Sequence, residues 1–197
     1  QKIYFFDKQL AIKDSVSSGG PIVDIDLSQN QMLACNIGIL NPNNGKFGKG
    51  QLINISPDGK MTVDTIPLFA NLRRPVQLTP ADLNNDGKKD YLVCEFGNAT
   101  GALSWMENLG NNRFAKHVLR EAPGAIKAYI NDYNHDGRPD LWVLFAQGDE
   151  GIYLFTNKGN GSFDIRSILR FPSVYGSSSF EFADFNKDGY PDIVYTC

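Results

Sequence analysis

The sequence predicts an all-β fold, a β-propeller of four-stranded antiparallel blades, and three observations carry that prediction. An acidic segment recurs three times at nearly constant spacing: "DLNNDGKKDYLVC" from Asp82, "DYNHDGRPDLWVL" from Asp132 and "DFNKDGYPDIVYT" from Asp184. Each is followed by short apolar runs rich in Val, Ile, Phe, Tyr and Trp, separated by Gly, Asn and Asp clusters, which is the pattern of strands joined by hairpins. No segment shows a helical period. A unit of about fifty residues holding four short strands matches a propeller blade.

Within a unit the order is constant. After the acidic loop comes "YLVCEF" or "LWVLFA", then a Gly-containing connector, "ALSWMEN" or "IYLFTN", a turn "LGNNR" or "KGNGS", and "FAKHVLRE" or "FDIRSILR". A second strand packed on both faces by neighbouring blades should be apolar without alternation, as "LWVLFA" is. An outermost strand should alternate and carry charges against edge pairing, the role expected of Lys116, Arg120, Arg166 and Arg170. Residues 20–70 read as a degenerate blade with a shortened, carboxylate-poor first loop. Blades follow at 75–122 and 125–171, with half-blades at 1–16 and 177–197. If the halves pair, a closed four-bladed ring results; otherwise the chain is an open arc or a fragment of a larger ring of, for example, seven blades. An open arc needs a partner chain or further blades to cover its apolar faces.

Composition narrows the function. The 197 residues are 42% hydrophobic with a net charge of −3, so a core is expected and a basic nucleic-acid surface is not. No run approaches the ~20 apolar residues that span a bilayer, so no membrane insertion is expected. Cys35 and Cys94 lie in apolar runs and Cys197 is a third, odd thiol; buried free thiols are expected rather than a disulfide or a metal site.

The acidic loops have the form D-x-N-x-D-G-x-x-D. Side-chain oxygens fall at positions 1, 3, 5 and 9: Asp82, Asn84, Asp86 and Asp90; Asp132, Asn134, Asp136 and Asp140; Asp184, Asn186, Asp188 and Asp192. Glycine at position 6 permits the reversal that lets these oxygens and the position-7 carbonyls of Lys88, Arg138 and Tyr190 converge. An oxygen-only set with several carboxylates suits calcium, up to three ions in a structural role, since calcium takes 6 to 8 oxygens in flexible geometry. The bland reading is an Asx-rich hairpin turn that satisfies its own backbone. An EF-hand is disfavoured, because Val93, Val143 and Tyr195 stand where its bidentate Glu and following helix would be.

These units resemble the FG-GAP or VCBS repeats of calcium-binding propellers, including those of integrin α subunits. The likeness rests on the three loops, the turns "ENLGNNRF" and "TNKGNGSF", and the pair Phe96-Gly97; it covers residues 77–197 well and 1–70 loosely. It implies calcium between strands 1 and 2 on one face, ligand recognition through loops of the other, and commonly seven blades.

The expected function is an extracellular calcium-binding module for a protein or glycan on a cell surface or matrix, secreted, surface-bound or periplasmic. The alternatives are a non-catalytic domain of a larger secreted enzyme or redox protein, or a polysaccharide lyase. An enzyme is not expected. His117 and His135 read as surface residues, and nine of the 22 Asp and Glu belong to the three loops, which leaves few groups for acid–base work. Recognition is expected on connectors 38–50, 71–75, 97–101, 121–125, 147–151 and 171–177, where Arg73, Arg74, Asn98, Gln147, Phe171 and Tyr175 offer charge, amides and rings. Trp105 and Trp142 read as core.

Overall fold

The structure, a computed structural model, describes residues 1–27 and 31–197. The shortened loop expected at the head of the degenerate blade falls mainly on residues 28–30 and lies outside the described residues. Every regular element among the described residues is a strand, and none is a helix long and apolar enough to cross a membrane.

Five antiparallel sheets follow in chain order. A hairpin of β1 (Lys2–Phe6) and β2 (Ile12–Ser17) comes first. The next sheet holds β3 (Ile22–Asp26), β4 (Gln31–Asn36), β5 (Gly48–Ile55), β6 (Met61–Val63) and β7 (Phe69–Leu72). Two complete blades follow, β8 (Pro75–Ala81) to β11 (Arg113–Arg120) through β9 (Asp90–Glu95) and β10 (Ala102–Gly110), and β12 (Ala125–Asn131) to β15 (Ser162–Arg170) through β13 (Asp140–Phe145) and β14 (Gly151–Gly159). The hairpin of β16 (Ser179–Ala183) and β17 (Asp192–Thr196) comes last. Both complete blades pair in the order first, second, third, fourth strand.

The core lies between sheets. All six residues of β13 are buried, and its two faces serve different neighbours. Leu141, Val143 and Phe145 join Leu92, Cys94, Leu103 and Trp105 of the preceding blade, while Trp142 and Leu144 join Phe180 of the last hairpin. Strand periodicity of two distributes alternate residues to opposite faces, and with both faces packed the run loses its polar half. Leu33 and Cys35 likewise meet Leu78 and Val93. Cys35 and Cys94 are buried free thiols, as expected, and burial pushes both thiols up; Cys197 is exposed and also free. Trp105 and Trp142 are buried, as expected.

One position joins the blades on the innermost strands. Asp24, Gln77 and Lys127 each follow a bulge and face Cys35, Cys94 and Leu144 across the ladder. Each reaches forward into the next sheet. The Asp24 carboxyl is raised by burial, with the Leu78 backbone N–H of the next sheet acting in the opposite direction; Gln77 accepts from Ala128 N at 2.6 Å and donates to its carbonyl at 3.2 Å; Lys127 Nζ bonds Ser179 and Glu181. Gln77→Ala removes both partners of a part-buried peptide and is expected to cost about 1–3 kcal/mol in urea unfolding; an unchanged midpoint would show that packing alone joins the blades.

Two expectations are modified. The fourth strand of the degenerate blade is split into β6 and β7, both paired to β5, with Pro67 in the break, where a residue without an N–H cannot continue a ladder. The first and last hairpins are separate two-stranded sheets among the described residues. Tyr4, Phe6 and Val194 on those hairpins are about half exposed.

The outer-strand cations also divide. Arg166 is exposed as expected, but Lys116 bonds the fully buried Glu95. Arg120 lies over the rings of Phe145 (4.3 Å) and Tyr153 (3.9 Å) in the next blade and pairs with Asp149, which also takes Arg170. The Tyr153 hydroxyl, then Arg120 and Arg170, hold the Asp149 carboxyl below its ordinary 3.8. Its contribution is therefore present above the unfolded value and lost as pH falls through the folded one. Asp149→Asn should lower the melting temperature at neutral pH and converge with wild type in strong acid; a constant difference would remove the ion pairs from the account.

Candidate metal loops and connector face

The three acidic loops fold alike. Gly87, Gly137 and Gly189 at position 6 have φ of 80°, 81° and 89°, and the residue at position 4 is also left-handed: Asn85 (59°), His135 (59°) and Lys187 (62°). Only a positive φ at both places turns the chain sharply enough for oxygens at positions 1 and 3 to face inward. They converge on one backbone N–H. Asp86 N donates to Asp82 Oδ1 (3.0 Å) and Asn84 Oδ1 (3.2 Å), Asp136 N to Asp132 Oδ1 and Asn134 Oδ1 (both 3.0 Å), and Asp188 N to Asp184 Oδ1 (3.1 Å) and Asn186 Oδ1 (2.9 Å). The position-5 carboxylates accept the N–H groups of Lys88, Arg138 and Tyr190. Among the described residues no three Asp, Glu, His or Cys side chains gather as a metal cluster; one donor of each loop is an Asn and another is a main-chain carbonyl.

The loops differ in charge. Lys88 Nζ lies 2.7 Å from Asp86 and Arg138 NH2 lies 2.8 Å from Asp136, and the Lys88 ammonium holds the Asp86 carboxyl below its ordinary range. The third loop has Tyr190 at that position. Its acids Asp184, Asp188 and Asp192 have no cationic partner among the described residues.

Position 9 is buried and bonded differently from positions 1, 3 and 5. Asp90 and Asp140 are fully buried. Asp140 Oδ2 accepts from Tyr133 N (3.1 Å) and Oδ1 from Asn157 N (2.7 Å), and Asp90 takes Leu83 N (3.1 Å) and Asn108 N (2.7 Å) identically. Burial raises the Asp90 carboxyl. Each of these aspartates ties the loop's second residue to the third strand of its blade. Asp192 accepts from Phe185 N and Asn186 N, with no third strand beside it.

Sequence reasoning missed the residues on the other side of that tie. Asn108 donates to Lys89 O (3.0 Å) and accepts from Gly110 N (2.8 Å); Asn157 donates to Pro139 O (3.1 Å) and to Leu83 O of the preceding blade (2.9 Å). Their signal was the repeated Asn before each "LG" or "KG" turn. Those hairpins close through left-handed pairs, Asn111-Asn112 and Asn160-Gly161, as two-residue type I′ turns do. The loops also touch one another: Asn85 donates to Gly137 O at 2.8 Å.

The connectors occupy the opposite strand ends. Arg73 pairs with Glu121 at 2.5 Å while its N–H bonds Glu95. Arg74, at φ 47°, is a strut: its guanidinium donates to Gly97 O (2.6 Å) and Leu40 O (3.1 Å) and lies over the Phe96 ring. Asn98 is exposed and Gln147 half-buried. Phe171 stacks on Tyr195 at 4.1 Å with Tyr175 beyond it at 6.5 Å. Arg73 and Arg74 thus bond neighbouring connectors, while Phe171 and Tyr175 gather beside Tyr195 of the last hairpin. His117 and His135 are both exposed; His117 bonds Glu107 at 2.7 Å and lies against Trp105.

A family described as the FG-GAP-like repeat matches residues 82–143 and again 132–195. Each match opens on the first aspartate of one loop and runs through the next loop into the strand after it, so the repeat unit read from the loops is the family's own. No curated protein matches the chain. Together the matches span more than half of the sequence, and the chain belongs to the FG-GAP-like repeat family.

Proposed function

We propose that this FG-GAP-like repeat protein is a non-catalytic binding module, placed outside the cytoplasm, whose three acidic loops hold structural calcium and whose connectors recognise a protein or a glycan. The supporting observation is the division of labour between the strand ends: three loops of one geometry at one end, variable connectors at the other. The loops fit calcium by donor chemistry. Asp82, Asn84 and Asp86, Asp132, Asn134 and Asp136, and Asp184, Asn186 and Asp188 supply hard oxygens on inward-turned loops, with the carbonyls of Lys88, Arg138 and Tyr190 at position 7, and soft ligands are missing from the pattern. Bound calcium would neutralise the carboxylates. The chain's own part is to hold those oxygens: the left-handed residues at positions 4 and 6 set the reversal, Asp90 and Asp140 at position 9 pin the loop to its blade, and Asp192 braces its own loop.

Affinities of ~10⁻⁴ to 10⁻³ M, usual for extracellular calcium modules, suit a calcium-rich exterior. Probing glycan and extracellular-protein arrays with the calcium-replete chain is expected to give hits that survive changes at Asp86 and Asp136 more weakly as calcium is withdrawn. Turnover of an acidic polysaccharide by the purified chain would replace this reading with the lyase.

A further inference from the structure

The strongest unassigned feature is a groove on the connector side of the degenerate blade. Two adjoining cavities of about 320 and 310 Å³ share Lys46, Ala70 and Asn71. Arg73 and Lys116 line one and Lys49 and Phe47 the other, so four cations face a single groove in a chain of net charge −3. Arg73 and Lys116 are already paired, with Glu121 and Glu95. Lys46 and Lys49 are exposed and form no ion pair within 4 Å among the described residues, Glu121 beside Arg73 being the carboxylate whose charge Lys46 feels.

We infer that this groove binds an acidic polysaccharide, a chain of uronic or sulfated sugars; the inference rests on the binding-module reading and names its ligand class. Unpaired ammonium groups select anions. The exposed Asn71 amide offers a donor and an acceptor for hydroxyls, and the Phe47 ring, 55% exposed, offers a flat apolar face for sugar C–H groups. The ring is held against Gly45, where a Cβ would come within 2.1 Å of it. The groove is preformed. Arg74 fastens segment 38–50 through Leu40 O, and Asn44 Oδ1 accepts Ala99 N–H at 2.9 Å, which limits the ordering cost of binding. A peptide strand is disfavoured as occupant: Asn71 lies on the outer strand β7, and its φ of 58° breaks the extended edge that strand addition needs.

The test is calorimetric titration with an oligoglucuronate, a neutral glucan of equal length and a polyglutamate, at constant calcium. The oligoglucuronate should bind, the neutral glucan should not, and added salt should weaken binding. Lys46→Gln/Lys49→Gln should weaken it by about tenfold or more with unchanged melting, while Lys2→Gln/Lys8→Gln, exposed and outside the groove, should not. Equal binding by the groove variant, no binding of the uronate, or equal binding of polyglutamate overturns the inference. Failure here with calcium-dependent melting intact removes only the groove; loss of calcium-dependent melting with uronate binding intact removes only the calcium.

Discussion

Chelating calcium is expected to lower the melting temperature by about 10 °C or more. With affinities of ~10⁻⁴ to 10⁻³ M and calcium at ~10 mM, each loop gains roughly 1.4–2.7 kcal/mol. A domain of this size shifts by ~2–4 °C per kcal/mol, so three loops reach that figure together. The third loop should respond first, because Asp184, Asp188 and Asp192 lack the cation that Lys88 and Arg138 supply to Asp86 and Asp136. Hydrogen exchange after EDTA should therefore rise earliest in β16 and β17, whose hairpin also has no third strand beside it. Scanning calorimetry with EDTA and with calcium restored is the direct check. A melting temperature indifferent to both would reduce the loops to Asx turns.

Asp140→Ala is expected to destabilise the protein by about 3–5 kcal/mol whether or not calcium is present, since it leaves two backbone donors, Tyr133 N and Asn157 N, without their acceptor. Asp136→Ala should behave differently. In calcium it loses one ion's contribution, roughly 1.4–2.7 kcal/mol; in EDTA it should lie within ~0.5 kcal/mol of wild type, as an exposed substitution does. Urea unfolding of both variants in both conditions separates the two kinds of aspartate. Equal losses for Asp136→Ala with and without calcium would mean that position 5 serves the turn alone.

Much of this is legible in the sequence. The repeat at Asp82, Asp132 and Asp184 carried the strand order, the hairpins and the spacing of the loops, because each unit uses the same local rules: glycine where φ is positive, Asn and Asp where side chains cap the backbone, unbroken apolar runs where a strand is covered twice. Position 9 was legible as an oxygen but not as a buried one, since burial depends on the third strand that Asn108 and Asn157 bring alongside. The connector face was the least legible part. Arg73, Arg74 and Asn98 read as equivalent loop residues, yet Arg74 is a strut, Arg73 is paired, and the groove's cations without an ion pair among the described residues are Lys46 and Lys49, in connector 38–50.

The sequence by itself determined the blade, because everything within a blade lies within about fifty residues and follows from hydrophobic period and turn chemistry. Only the tertiary structure decided what happens between blades: that Asp24, Gln77 and Lys127 latch each sheet to the next, that Arg120 reaches over two rings of its neighbour, that the first and last hairpins are separate sheets among the described residues, and that a groove opens beside β7. Those contacts join residues far apart in the chain, and no local pattern encodes which distant side chain a given residue will meet.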